Sequence, residues 1–584
     1  EGSTDNPLAI GSKVTVFADN STQYQELYLS RGFQSSVPPV LHFGFKSAEI
    51  ITNIEIGWPT GEISSHKDIS MNKKHTFSLV DAEMPTQTTK DENKLFTEIF
   101  GDRLGIRYAH KENIFNDFKN QVLLPYSQSH NGPFMSSTDI NNDGLDDFYV
   151  GGAANQSGAL YIQLKDGSFQ LKKGPWQAHK SQEDLGVLFF DADNDGDQDL
   201  YIISGGSEFP ENSLQFQDRL YINNGNGQFQ MTSTQLPNII SSGQIIKASD
   251  IDNDGDLDLF AGGRIIPDKY PYPPKSCLLI NHNGSFEDAI AKLAPDLEYA
   301  GMITDAEFAD SDGDGDQDLI IVGEWMAVQI FENNNGKFTK AANNGLDSTT
   351  GIWFSVAAND IDHDGDLDFF AGNMGLNTKY KTSGTDALHI YCDDFDKNGT
   401  YDIILTSAYH GAQVPVRGKE CSIEQLPFIH EKFPTFQSFA HASINDILGQ
   451  QNLNKALHYQ AQTLTSVFIE NLGKGKFKVM PLPNEAQFAP ITDFNFTDFN
   501  DSTYILAVGN LYHTEVETIR QDASFGTVLK YTNQTFKAVP NNISGFITKG
   551  DAKSMIGIKC KNIEYIFVAN NNSTLNIFRK SSNW

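Results

Sequence analysis

Residues 191–206 read Asp-Ala-Asp-Asn-Asp-Gly-Asp-Gln-Asp followed by Leu-Tyr-Ile-Ile-Ser-Gly-Gly, an acidic loop of nine residues running straight into a short apolar strand. The pattern Asp-x-Asp/Asn-x-Asp/Asn-Gly-x-x-Asp recurs, starting at Asp139, Asp191, Asp250, Asp310, Asp360 and Asp394. Successive starts lie 52, 59, 60, 50 and 34 residues apart. A period of 50–60 residues marks a repeat architecture in which each unit buries its apolar face on its neighbours.

The residue types point to a hard cation. Calcium takes 6–8 oxygen ligands in flexible geometry, whereas magnesium demands a stricter octahedron with fewer protein ligands. Positions 1, 3, 5 and 9 offer carboxylate or amide oxygens, and position 7 can offer its main-chain carbonyl. The candidate ligands are Asp139, Asn141, Asp143, Leu145 and Asp147 in the first loop, and Asp191, Asp193, Asp195, Asp197 and Asp199 in the second. The third and fourth hold Asp250, Asp252, Asp254, Asp256, Asp258 and Asp310, Asp312, Asp314, Asp316, Asp318. The fifth and sixth hold Asp360, Asp362, Asp364, Asp366, Asp368 and Asp394, Asp396, Asn398, Thr400, Asp402. Up to six calcium ions are therefore expected. An EF-hand is excluded, because it requires Glu at position 12. Here that position is Val150, Ile202, Ala261, Ile321, Ala371 or Leu405.

Charge supports this reading. The chain of 584 residues has 75 acidic and 43 basic residues and a net charge of −32. The loops hold 27 of the acids, and without them 48 acids would face 43 bases. No basic face is indicated, which argues against a nucleic-acid partner. No apolar run reaches the ~20 residues needed to span a bilayer. The spacing of Cys277, Cys392, Cys421 and Cys560 fits neither a zinc site nor a small disulfide framework, and they read as mostly structural thiols.

After each loop comes an apolar strand, then a second strand, an Asn/Gly turn and a short aromatic strand, as in RLYINNGNGQFQM (219–231) and VQIFENNNGKFTK (328–340). Four short strands per repeat describe the blades of a β-propeller. These units resemble FG-GAP/VCBS repeats, the calcium-loop blades also found in integrin α-chain heads, and the resemblance spans 95–584. It implies an all-β, calcium-binding propeller. The short spacing between Asp360 and Asp394 suggests merging those two loops into one enlarged blade, giving seven blades, with eight as the alternative. TDFNDSTYILAVGN (497–510) lacks the loop Gly and final Asp, and no metal is expected there. The last repeat also lacks a loop, and its outer strand is expected from KLFTEIFGDRLGIRYAH (94–110), closing the ring and hiding its edges. Residues 418–462 read as a partly helical insertion, helix-compatible around Asn445–Gln460, that either meets partners or caps the ring.

Residues 1–85 carry no acidic loop. In NIEIGWP, Ile54, Ile56 and Trp58 alternate with polar neighbours in the β manner. IGSKV, GFQSS, LHFGF and IGWPTG in this stretch resemble an ASPIC/UnbV domain. Together the segments resemble large secreted or surface proteins of Bacteroidota that join FG-GAP arrays to an ASPIC/UnbV domain. Residue 1 is Glu and no signal-peptide pattern follows, so the chain reads as a processed product or fragment with a further propeller expected upstream.

No HExxH, GxSxG or Walker A motif occurs, so no enzymatic activity is expected. His66, His110, His130 and His410 read as surface or packing residues. Trp325, Trp353, Tyr270 and Tyr272 border loops and are the candidates for a sugar- or peptide-binding surface. The resulting expectation is a calcium-stabilised extracellular or outer-membrane-associated binding and scaffold module with protein partners. The alternatives are a lectin-like or substrate-capturing module of a nutrient-uptake system, and an enzyme with an unrecognised site.

Overall fold

The computed structural model describes all residues except 20, 46–49, 84–93, 233, 384–385, 501, 562 and 583–584. The chain divides into two compact units, Glu1–Asn93 and Lys94–Trp584.

The first unit is built on a four-stranded antiparallel sheet in the order Ser21–Glu26, Lys13–Ala18, Ile51–Gly57, Ile63–His66. Ile54, Ile56 and Trp58 are buried with Val16 and Ala9, while Glu55 between them is exposed. The period of two in the sequence is thus the core pattern of this sheet. The Trp58 indole N–H donates to Ser64 Oγ (3.0 Å), satisfying the one polar atom that its burial would strand.

In the second unit, the acidic repeats fold into four-stranded antiparallel sheets. Among the described residues seven such sheets follow one another, with first strands Met135–Thr138, Glu183–Phe190, Ser242–Ser249, Met302–Ala309, Gly351–Asn359, Asp493–Phe499 and Asp551–Cys560. Each first strand touches the next, and the last touches the first. All seven line one cavity of about 270 Å³. The fourth and fifth sheets are also joined where the end of the fourth sheet's second strand pairs with the start of the fifth sheet's first, through Glu324↔Ile352 and Met326↔Gly351. The second strands, such as Asp199–Gly205, are buried along their whole length because a neighbouring sheet covers each face. That explains their unbroken apolar sequence where a half-exposed strand would alternate.

The seventh sheet takes its outer strand, Phe96–Ile99, from the other end of the unit, pairing it with Asn576–Lys580. This is the closure expected from the sequence, and it leaves neither terminal sheet with an open edge at this point.

The insertion differs from the expectation in extent and content. The fifth sheet is interrupted after Asp368–Asn373 and resumes with Val467–Asn471. Between them lies a separate four-stranded sheet: Leu388–Asp393, Asp402–Tyr409, Ala412–Pro415 and Leu457–Ala461. The Asp394 loop therefore belongs to this inserted sheet and is not part of an enlarged ring sheet. Five short helices between Lys419 and Leu453 pack Leu426, Ile429, Ile444, Ile447 and Leu448 against it. Residues Leu457–Gln460, expected to extend a helix, form an edge strand, because Tyr459 and His458 pair with Ile390 and Tyr391.

The inserted sheet covers one end of the ring. Leu388, Ile390, Cys392 and Leu405 share a core with Met302 and Ile352, where first strands begin, and with Ile265 and Trp325, where second strands end. The acidic loops join first strands to second strands, so they lie at the opposite end. Glu515 locks the covered end through Arg417 and Lys379 (2.9 Å), which holds its carboxyl down at about 2, with Thr518 and the Glu517 amide also donating.

Candidate metal centres

Each loop is wound by its own carboxylates. In four loops the position-1 Asp accepts main-chain N–H groups from positions 5 and 6, as Asp250 does from Asp254 (3.1 Å) and Gly255 (3.1 Å) and Asp394 from Asn398 (2.9 Å) and Gly399 (3.0 Å). Asp191 accepts from Gly196 at position 6 (2.9 Å). Position 5 in turn accepts from position 7, as in Asp254 from Asp256 N–H (2.9 Å). The position-6 glycines have φ from 81° to 102°, for example Gly144 and Gly365. A Cβ there would meet open space, so conformation and not crowding demands glycine. Position 4 is also left-handed and is filled by Asn142, Asn194, Asn253, Gly313, His363 and Lys397.

The coil brings the expected ligands together. Asp191, Asp193 and Asp199 bring carboxylate oxygens within 4.8 Å of one another, as do Asp310, Asp312 and Asp318. In the third and fifth loops the groups are Asp250, Asp252, Asp254 and Asp360, Asp362, Asp364. Asp191 Oδ1, Asp193 Oδ1, Asp360 Oδ1 and Asp368 Oδ2 are buried without a hydrogen-bond partner. Unpartnered buried anions of one sign are costly. An all-oxygen set with free lone pairs fits a hard divalent cation.

Position 9 has a second task. Asp199 accepts Ala192 N–H (3.0 Å) and Asn223 N–H (2.7 Å), tying the loop to the third strand of its own sheet. Asp258 and Asp318 repeat this with Asn281 (2.8 Å) and Asn333 (2.8 Å). Burial, aided by the loop's other carboxylates, pushes Asp147, Asp199, Asp368 and Asp402 up to about 7, and Asp258 and Asp318 to about 6. The amide bonds oppose the rise without cancelling it.

The third-strand asparagines reach further. Asn223 Nδ2 donates to the Ile140 carbonyl (2.8 Å), Asn281 to Ala192 (2.9 Å), Asn333 to Ile251 (2.9 Å) and Asn471 to Ser311 (3.2 Å). Each acceptor is position 2 of the preceding sheet's loop. A second stitch runs the other way: Asn142 Nδ2 to Asp197 (2.9 Å), Asn194 to Asp256, and Asn253 to Asp316 (3.5 Å). The side chains of these position-7 aspartates thus serve the neighbouring loop. Sequence reading missed both sets, although Asn recurs at the end of the third strand in RLYINN, CLLINH, VQIFENN and SVFIEN.

The four aromatic candidates do not form a surface. Trp353 is fully buried, its indole N–H shared by the Met326 (3.1 Å) and Thr349 (3.0 Å) carbonyls. Trp325 donates to Tyr270 OH (2.6 Å), and that hydroxyl donates to buried Glu324 (2.7 Å). Tyr272 packs against Tyr401 (5.1 Å between ring centres). Tyr270, Trp325 and Tyr272 fill the joint between the ring and the inserted sheet, whereas Trp353 is buried between the fourth and fifth sheets. All four cysteines are free thiols.

Residues 2–84 match the family model described as ASPIC and UnbV, and residues 139–202, 208–261 and 310–371 match that of an FG-GAP-like repeat. The chain thus carries an ASPIC/UnbV segment followed by FG-GAP-like repeats, and the matched repeats contain the first five acidic loops. A solved structure titled "YCF48 bound to D1 peptide" aligns over 81% of this chain and 98% of that chain, at 8% identity and a TM-score of 0.35. No curated protein matches the chain.

Proposed function

We propose that the second unit is a seven-bladed, calcium-stabilised propeller that serves outside the cell as a binding and scaffold module, as a subunit of a larger outer-membrane-associated assembly. The observation that carries this reading is the repeated loop with clustered, partnerless carboxylate oxygens, stitched on both sides to its neighbours. Bound calcium would neutralise these clusters and so relieve the repulsion within each loop. The chain's own residues do the rest: position-9 aspartates fix each loop to its sheet, and the asparagines fix sheet to sheet. Extracellular modules bind calcium at about 10⁻⁴–10⁻³ M, which suits an external site and not the cytosol.

The partner-facing element in this reading is the inserted sheet with its helices. Tyr409 and Phe436 are exposed there, and Val516 and Ile519 are exposed on the loop that holds Glu515 and Glu517. Singly exposed apolar residues are ordinary, but four on one ion-paired assembly favour a protein partner over a sugar. The lectin-like alternative loses its motivating residues, since Trp325 and Trp353 are internal.

Affinity purification of the full-length protein from native membranes, in calcium and in chelator, tests the proposal. Stoichiometric outer-membrane proteins recovered only in calcium would support it. Recovery of the protein alone in both conditions would overturn the scaffold role.

A further inference from the structure

The acidic loops are not the only place where carboxylates meet. At the covered end of the ring, Glu112, Glu183 and Glu208 bring oxygens within 4.8 Å of one another. Glu183 begins the first strand of the second sheet, Glu208 follows that sheet's second strand, and Glu112 lies in the segment leading to the first sheet. None belongs to a nine-residue loop, and the loops lie at the other end of the eight-residue strand Glu183–Phe190. At about 3.3 Å per residue that separation is roughly 25 Å.

Their partners set these three apart. Glu183 is 1% exposed, and neither of its carboxylate oxygens has a hydrogen-bond partner. Both oxygens of Glu208 and one of Glu112 are likewise buried and unpartnered. The other Glu112 oxygen accepts Asn571 Nδ2 (2.6 Å). Asp117 shows what a satisfied anion looks like in the same neighbourhood. It takes Ser129 Oγ (2.6 Å), Ser207 Oγ (2.6 Å), Gln128 N–H (3.0 Å) and Ser127 Oγ. The fold thus supplies four donors to one carboxylate, but to the three beside it only one well-formed bond, from Asn571, with the Ser207 and Glu208 main-chain amides near Glu208.

Positive charge does not fill the gap. Lys553 is the cation that acts on Glu112, and it is paired with Asp551 (2.9 Å). The His110 imidazole accepts Asn572 N–H at Nδ1 (3.3 Å), the nitrogen that lies 3.9 Å from Glu112 Oε1, so it donates no hydrogen bond to that carboxylate. The backbone also makes room. Gly206 has φ of 89°, and a Cβ on it would lie 2.3 Å from Glu183 Oε2 and 2.2 Å from Glu208 Oε2. Glycine here lets the main chain run directly beneath the two carboxylates.

We infer that Glu112, Glu183 and Glu208 form a buried divalent-cation site, separate from the acidic loops, that ties the entry segment to the second sheet. The donors are all carboxylate oxygens, which select hard cations over zinc or copper. Oxygens on opposite sides of a calcium ion lie about 4.6–5.2 Å apart, from bonds of 2.3–2.6 Å, so three oxygens all within 4.8 Å of one another can share one such ion, and manganese takes the same ligand type. The rival arrangement is a proton shared between Glu183 and Glu208 with no ion.

Crystals of the full chain soaked in manganese chloride separate the two by anomalous scattering. The expected result is a peak among the three glutamates, absent in Glu183→Gln crystals that keep their loop peaks. Loop peaks with no signal at the triad in the wild type would overturn the site while leaving the loops intact. A triad peak with silent loops would instead overturn the loop reading alone. In solution, Glu183→Gln should melt no lower than wild type in chelator, because a buried charge is removed, and should bind one calcium fewer by native mass spectrometry. Equal calcium counts in the two proteins would favour the shared proton and contradict the site.

Discussion

The first five sheets of the ring and the last two share apolar cores at their joints but differ in what is added to them. Between loop-bearing sheets the joints carry polar stitches, such as Asn333 to the Ile251 carbonyl and Asn253 to Asp316. Around the sixth sheet the joints are aromatic. Phe370 meets Phe468, Phe494, Phe496 and Phe536 within 6 Å on the fifth-to-sixth side. Phe96 meets Phe499 (5.5 Å) and Phe546 (5.5 Å) towards the seventh. The strand-to-strand connections shrink accordingly: Phe499 leads to Ser502 and Cys560 to Ile563, where other sheets have a nine-residue loop. The seventh-to-first joint is mixed. Asp146 of the first loop accepts Lys559 N–H (3.0 Å), and Gln163 stands where later sheets have Asn. The ring thus adds loop-to-loop polar stitches where the acidic loops stand and packs aromatic rings where they are missing.

The largest effect should come from removing calcium. A site with a dissociation constant of about 10⁻⁴ M contributes about 1.4 kcal/mol at millimolar calcium, so six independent loops would contribute about 8 kcal/mol. A chelator should lower the melting temperature by on the order of 10 °C in differential scanning calorimetry.

Acidity sharpens the contrast. Asp147, Asp199, Asp368 and Asp402 stand at about 7 in the fold against an ordinary value near 4. A carboxyl raised by folding contributes stability below its unfolded value and loses it as pH rises through the folded one. The chelated protein should therefore lose stability from about pH 4 to 7. In calcium this loss should be suppressed or reversed, because the metal favours the ionised form. Melting curves at pH 5 and pH 8, with and without calcium, read this directly. A chelated protein that gains stability over this range would contradict the assignment.

Phe370→Ala should cost about 3–5 kcal/mol, the usual range for a fully buried aromatic, in calcium and chelator alike. A calcium-dependent cost would blur the distinction between the two kinds of joint. Asn333→Ala removes a buried two-ended stitch and should cost about 1–3 kcal/mol by denaturant titration. Asn142→Gly removes an exposed one while keeping the left-handed position unstrained, and should cost less than about 1 kcal/mol.

Much of this was legible in the sequence. The nine-residue pattern placed every loop, and the apolar runs after it placed the second strands. Closure through 94–110 could be anticipated because the last repeat lacked a fourth strand. Four features were not legible, each for a physical reason. The Asp394 loop sits in an inserted sheet, and local spacing cannot tell which sheet a strand joins. His458 and Tyr459 lie in a helix-compatible stretch, yet cross-strand pairing with Ile390 and Tyr391 decides their state. Trp325 and Trp353 stand near loops in the sequence, but the burial of Trp325 under the inserted sheet and of Trp353 between the fourth and fifth sheets is a tertiary fact. Glu112, Glu183 and Glu208 follow no spacing rule, since three separate segments bring them together.

The most direct test of the calcium account is a count of bound ions by native mass spectrometry of the full chain exchanged into calcium. One ion for each of the six loops is predicted, plus one for the glutamate triad, with one ion lost in Asp254→Ala. A chain that carries no calcium at millimolar concentration, or whose count is unmoved by Asp254→Ala, would contradict it.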